Sequence, residues 1–180
     1  QMCIRDSAIL RVSVRSIMMK RYGVIGCGMM GQEHLRNINL INDAIAYAIY
    51  EPNVNMQKMA KKLAPGAKFY DSLDKILSDE NIDCWLIVSP NHLHMDQLEQ
   101  LAGIPHRPIL VEKPLFTEIK HLERIKNFSI KYSAPVWVAM EYRYMPPIAE
   151  LIKRQNNVTG SIKMLSIREH RFPFLPKVDD

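Results

Sequence analysis

The chain has 180 residues and a mass of 20.9 kDa, enough to bury one full domain and part of a second, but not two complete α/β domains. Apolar residues make up 47% and charged residues 24% of it, which excludes collagen-like, disordered and disulfide-scaffold classes, and no apolar run approaches the ~18 residues of a membrane span. The formal net charge is +5, but residues 1–17 hold Arg5, Arg11 and Arg15 against Asp6 alone, so the remainder carries +3 with acids interspersed and gives no footing for a nucleic-acid partner.

Cys3, Cys27 and Cys84 are odd in number and lack CxxC or Cys/His ligand spacing, so neither a disulfide framework nor a zinc site is expected, and a reducing cytoplasm fits best. The first 19 residues stand apart from the rest of the chain. Arg11 and Arg15 interrupt any secretory apolar region, the Arg and Ser content resembles a mitochondrial transit peptide, and Met2 to Ser7 reads as a translated sequencing adapter. We expect residues 1–19 to be a non-native or upstream extension, with Met18 or Met19 as the natural start.

From Lys20 onward, short apolar runs alternate with segments of helical period, the pattern of βαβ units and a parallel sheet. Strands are expected at Arg21–Ile25, Ala44–Tyr50, Lys68–Tyr70, Cys84–Val88, Pro108–Val111 and Val136–Met140. Helices are expected at Met29–Leu40, Asn53–Leu63, Leu73–Leu77, His92–Ala102 and Glu118–Tyr132. Met95, Leu98 and Leu101 form a core stripe on the fourth helix, and Ile119, Leu122, Ile125 and Phe128 form one on the fifth; Met56, Met59 and Met95 read as core filler. After Met140 the alternation stops. Pro146-Pro147 opens a helix to about Arg154, and Val158–Phe172 looks extended with a bend at Gly160.

Gly26-Cys27-Gly28-Met29-Met30-Gly31 is a G-x-G-x-x-G loop between a strand and a helix. Gly26 permits the tight turn, Gly28 lets a pyrophosphate approach the backbone, Gly31 lets helix and strand pack closely, and the helix N-terminus offers free N–H groups. Glu51 follows the second strand, 20 residues after Gly31, where a carboxylate accepts from ribose hydroxyls and repels a 2′-phosphate. Pro52 and Asn53 stand where an arginine would favour NADP, so NAD is expected.

Ser89-Pro90-Asn91-His92-Leu93-His94 follows the fourth strand and Glu112-Lys113-Pro114 the fifth, which puts both at the carboxyl edge of the sheet, where open α/β folds bind ligands. His92 and His94 lack a metal-site spacing with Asp96 or Glu99, so no metal is expected. Lys113, fixed by the following Pro114, stands beside the expected nicotinamide.

The ordered set GVIGCGMMG, Glu51-Pro52, SPNHLH, VEKPL and Tyr142-Arg143-Tyr144 with Pro146 resembles the glucose–fructose oxidoreductase, inositol dehydrogenase and MocA (Gfo/Idh/MocA) family. The resemblance covers residues 20–180. It implies a doubly wound parallel Rossmann sheet over residues 20–140, and over 141–180 the beginning of a truncated α/β domain with a large, mostly antiparallel sheet for substrate binding and oligomerisation. By the same resemblance Lys113 is catalytic, Pro90, Asn91 and His94 (with Ser89) line the cofactor, Glu112 seats the nicotinamide side, and Arg143 matches an arginine near the substrate in some members. The family's acid and histidine, four residues apart, do not occur before Asp180, and His170 is no substitute.

The expectation is therefore an NAD-dependent dehydrogenase acting on a hydroxyl of a sugar, polyol or related small molecule. It would be cytoplasmic, homo-oligomeric as a whole protein, and without nucleic-acid or membrane partners. The alternative is a non-catalytic NAD-binding regulator on the same fold.

Overall fold

The structure is a computed structural model, described over residues 19–155 and at 157, 158, 160, 161, 163–166 and 168. It divides into two compact units between Ala139 and Met140. The first holds a six-stranded sheet: β1 (Lys20–Ile25), β2 (Ala44–Tyr50), β3 (Lys68–Tyr70), β4 (Cys84–Ile87), β5 (Ile109–Val111) and β6 (Val136–Val138). All five pairings are parallel and the spatial order is β3-β2-β1-β4-β5-β6. That is the dinucleotide-fold order, in which the sense of winding reverses between β1 and β4.

Successive residues of the central strands point to opposite faces, and both faces are buried. Val24 and Leu86 join Leu35, Ile38 and Ala60 in one core; Ile25 and Ile87 join Trp85, Met95, Leu98, Leu101 and Phe128 in the other. The first core is closed by α1 (Met29–Ile38) and α2 (Val54–Leu63), the second by α3 (Leu73–Leu77), α4 (His94–Ala102) and α5 (His121–Lys131). The stripe Met95, Leu98 and Leu101 is fully buried on α4, as its period predicts, and truncating any one of these side chains to Ala would cost about 2–5 kcal/mol.

Helix starts follow local chemistry. Asn53 caps α2, its side-chain oxygen accepting from the amides of Asn55 at 2.9 Å and Met56 at 3.1 Å, so the helix begins one residue later than expected. The Ser72 hydroxyl accepts from the Lys75 amide at the start of α3.

Two core expectations are corrected. Met56 and Met59 are exposed, because α2 meets the sheet through Ala60, whose small side chain lets the helix lie close, and only Met95 is core. On α5 the buried side chains are His121 and Phe128, with Ile125 partly covered; Ile119 precedes the helix and is 90% exposed, and Leu122 is exposed as well. A three-residue repeat drifts around a helix of 3.6 residues per turn, so Ile119 and Phe128 cannot share one face.

Gly23 was not singled out by the sequence, yet a Cβ there would stand 2.6 Å from the buried ring of Trp85. The pairing of β1 with β2 shifts register between Tyr22 and Gly23. The glycine lets the indole lie close against β1.

The second unit, by itself, opens with a 3-10 turn at Glu141–Tyr144 and continues into α6 (Pro146–Arg154), with prolines at its first positions as expected. Of the extended segment expected over Val158–Phe172, the described residues form no strand, there being no neighbouring strand among the described residues of this unit to pair with; Gly160 takes the left-handed φ of 66°. Residues 1–18 and the rest of that segment, with His170, lie outside the described residues. Among the described residues no helix is long and apolar enough to cross a membrane.

Candidate functional site

The loop between β1 and α1 stands where the winding of the sheet reverses. Gly26 has φ 95°, a region side chains avoid, and a Cβ on it would lie 2.7 Å from the Ser89 backbone after β4. Gly31 packs against the Gly26 carbonyl, where a Cβ would stand at 2.7 Å. Gly28 differs from both: nothing lies within 4 Å of a Cβ placed there, and its backbone is in an extended conformation open to any residue. The fold itself therefore needs Gly26 and Gly31, whereas the space before Gly28 is available to a ligand.

The first turn of α1 carries no acidic side chain and Gly28 offers no side-chain cap, so no side chain of the helix itself meets its free amides. Cys27 is buried, Met30 is half-buried and Met29 is 75% exposed. Burial, and then the Glu51 carboxylate, push the Cys27 thiol up to about 12.

Glu51 at the end of β2 is buried. Its Oε2 accepts from the Cys27 amide at 2.5 Å and its Oε1 from the Asn53 amide at 2.8 Å. A carboxylate has about four acceptor sites, so two remain for other donors. Gln57 closes the corner by donating to the Glu51 carbonyl at 2.7 Å.

After β4, Ser89 is half-buried, with Pro90 and Asn91 exposed on the 3-10 turn Asn91–Leu93 that leads into α4. Ser89 Oγ is 2.6 Å from Gln97 Oε1. His92 is exposed, but His94 is fully buried, with Nε2 3.0 Å from the Ser89 carbonyl and Nδ1 2.8 Å from the Pro114 carbonyl. Among the described residues no group of three or more His, Cys, Asp or Glu could hold a metal ion.

After β5, Glu112 is buried and Lys113 exposed, and the Lys113–Pro114 peptide bond is cis. Glu112 Oε1 lies 2.8 Å from His34 Nε2 on α1, and Oε2 accepts from the Lys113 amide at 3.1 Å. The sequence did not single out His34, since one polar residue on an amphipathic helix has the same pattern whether it faces water or a carboxylate. Gln97 was missed for the same reason. Arg143 belongs to the second unit, exposed on the 3-10 turn, with its guanidinium 5.7 Å from the centre of the Tyr144 ring.

The first unit thus gathers the glycine loop, Glu51, the Ser89–Asn91 turn and Lys113 along the carboxyl ends of β1, β2, β4 and β5. A dinucleotide fits these residues: its phosphates against the open backbone at Gly28, a ribose at the spare acceptor sites of Glu51. The family model for the Gfo/Idh/MocA oxidoreductases, an NAD-binding Rossmann fold, matches residues 20–140, and the chain belongs to that family.

It is 31% identical over 150 residues to the inositol 2-dehydrogenase of Corynebacterium glutamicum strain R, an alignment covering 81% of this chain and 44% of that relative. It is 27% identical over 156 residues to the glucose-6-phosphate 3-dehydrogenase of Bacillus subtilis, covering 84% and 42%. The crystal structure of myo-inositol dehydrogenase from Lactobacillus casei in complex with NAD(H) and myo-inositol superposes with a TM-score of 0.69 at 27% identity, covering 76% of this chain and 41% of that one. The chain spans less than half the length of these relatives.

Proposed function

We propose that the whole protein is an NAD-dependent dehydrogenase that oxidises a hydroxyl of a sugar, polyol or related small molecule, and that residues 20–140 are its cofactor domain. The observation that carries this reading is the placement of an exposed lysine at the end of β5, on the same sheet edge as a glycine loop with open backbone at Gly28. The family match and the relatives' names, inositol 2-dehydrogenase and glucose-6-phosphate 3-dehydrogenase, support the substrate class.

NAD supplies hydride acceptance when bound. The chain's own residues bind and orient. The Gly26–Gly31 loop and the α1 N-terminus take the phosphates, Glu51 accepts from the adenosine ribose and disfavours a 2′-phosphate, and Ser89, Pro90, Asn91 and His94 shape the nicotinamide end. Lys113 hydrogen-bonds the substrate oxygen through Nζ and stabilises the negative charge that builds as the hydroxyl gives up its proton. Residues 141–180 begin the substrate and oligomerisation domain, and Arg143 matches an arginine near the substrate in some members of the family. Free, buried Cys27 and half-buried free Cys84 suit a reducing cytoplasm, and the whole protein would be a homo-oligomer.

The experiment is steady-state kinetics of the whole protein with sugars and polyols, wild type against Lys113→Met. Expected is a kcat lower by about 10²-fold or more with NAD affinity nearly unchanged. Undiminished kcat in Lys113→Met would overturn the assignment of Lys113, and NAD binding without turnover of any polyol or sugar would favour the regulator.

A further inference from the structure

Lys113 is exposed, and a long ammonium side chain acts at one place only if the backbone that carries it is fixed. The residues on its two sides are each held by a histidine from a different helix. Glu112 is buried, where a carboxylate is costly unless paired, and its pairing is divided between His34 Nε2 at 2.8 Å and the amide of Lys113 itself at 3.1 Å. Pro114 has no amide to anchor it, and its carbonyl is instead 2.8 Å from Nδ1 of the fully buried His94. The other nitrogen of His94 reaches the Ser89 carbonyl at 3.0 Å. Carbonyl oxygens only accept, so a ring with one N–H holds one of these two loops and a ring with both nitrogens protonated holds both.

The packing of the sheet does not call for either histidine. Neither belongs to the two apolar clusters, and their polar partners lie instead at Glu112 for His34 and at the Ser89 and Pro114 carbonyls for His94. What the two side chains share is contact with the residues flanking Lys113. We propose that His34 and His94 are positioning residues that clamp the chain on both sides of Lys113 and set where its ammonium stands at the nicotinamide end of the site. This rests on the reading of residues 20–140 as a cofactor domain.

The test uses the whole protein, in NAD titrations and in steady-state kinetics with a polyol or sugar that it turns over. His34→Ala and His94→Ala should lower kcat about tenfold or more while NAD affinity stays within about twofold of wild type, the pattern expected for Lys113→Met, and should cost nothing further when Lys113 is already Met. His34→Gln and His94→Gln, which keep an N–H donor, should recover most of the loss. Undiminished kcat, or a full further loss in the Lys113→Met background, overturns the proposal.

Hydrogen exchange of the ligand-free chain provides the second readout. The Lys113 amide should exchange about tenfold faster or more in His34→Ala while the Val24 amide of β1 is unchanged. If wild type binds no NAD or turns over no polyol or sugar the dehydrogenase reading falls, and the exchange rate still decides the clamp: unchanged protection of Lys113 in His34→Ala would overturn it. Should an alanine variant fail to fold, the glutamine variant is read in its place, and a Lys113 amide in it that exchanges about tenfold faster than in wild type also overturns the clamp.

Discussion

The carboxylate of Glu51 holds the amide of Cys27, so the end of β2 and the glycine loop after β1 are joined by a buried hydrogen bond of 2.5 Å. With Oε1 on the Asn53 amide, the same side chain fixes both the loop and the capped start of α2. A residue expected from the sequence to serve a ribose thus has work in the free protein as well. Glu51→Ala leaves two amides without their acceptor and should lower stability by about 2–3 kcal/mol, read by thermal unfolding, together with weaker NAD binding. Glu51→Gln keeps one carbonyl oxygen and should lose about half as much. The double variant Glu51→Ser with Pro52→Arg should shift preference toward NADP in a fluorescence titration, but from a less stable protein. Equal stability of Glu51→Ala and wild type would contradict this account.

The Arg21 guanidinium grips Asp83 through Nε and Nη2, each 3.1 Å from a carboxylate oxygen, and the Arg21 amide donates to the same carboxylate at 2.9 Å. The guanidinium hydrogen bond first of all, and the amide with it, hold the Asp83 carboxyl below its ordinary value of 3.8. As pH falls the unfolded chain then takes up this proton before the folded one does. The pair's contribution is complete above the unfolded carboxylate range and is lost as pH drops through the lower folded value. Asp83→Asn should therefore unfold at a lower temperature than wild type at pH 7, and the gap should narrow below about pH 4. A gap independent of pH would mean that packing, not charge, is what Asp83 contributes.

Burial pushes the thiols of Cys27 and Cys84 up to about 12 and about 11. Only the thiolate is nucleophilic, so neither should be alkylated by iodoacetamide at pH 8 in the folded protein, and both should react once it is unfolded in guanidinium. Mass spectrometry of digests gives the answer. Rapid modification of Cys27 in the native chain would show that the glycine loop opens far more readily than its hydrogen bonds imply.

Much of the fold is legible in the sequence alone. Every strand and helix through α6 falls within a few residues of its expected place, because short apolar runs and helical periods do not resemble each other over this chain. The glycine loop carries its own steric logic, and Gly26 and Gly31 stand in the contacts that logic demands. What stays hidden depends on which face a residue turns. Met56, Met59 and Ile119 look like core from their type alone, and Ile119 falls outside its helix altogether. His34, Gln97 and Gly23 act through partners 78, 8 and 62 positions away, Glu112, Ser89 and Trp85, and no local pattern reports such a pairing. Asp83 and Arg21, likewise 62 apart, meet only because β1 and β4 are neighbours.

The most direct measurement compares Gly28→Ala with wild type in thermal unfolding and in NADH titration by fluorescence. No atom lies near a Cβ at Gly28 and its backbone suits alanine, so folding should lose less than about 1 kcal/mol, the cost of alanine at a helix N-cap. The added methyl occupies the approach to the backbone that a pyrophosphate needs, so NADH affinity should fall about tenfold or more. Gly26→Ala, with its φ of 95° and its Cβ against Ser89, should instead lose stability and binding together. Saturable binding by wild type that Gly28→Ala loses at nearly unchanged melting temperature is the result predicted. Equal NADH affinity in the two proteins, or none in wild type, would contradict the claim that this loop receives the cofactor.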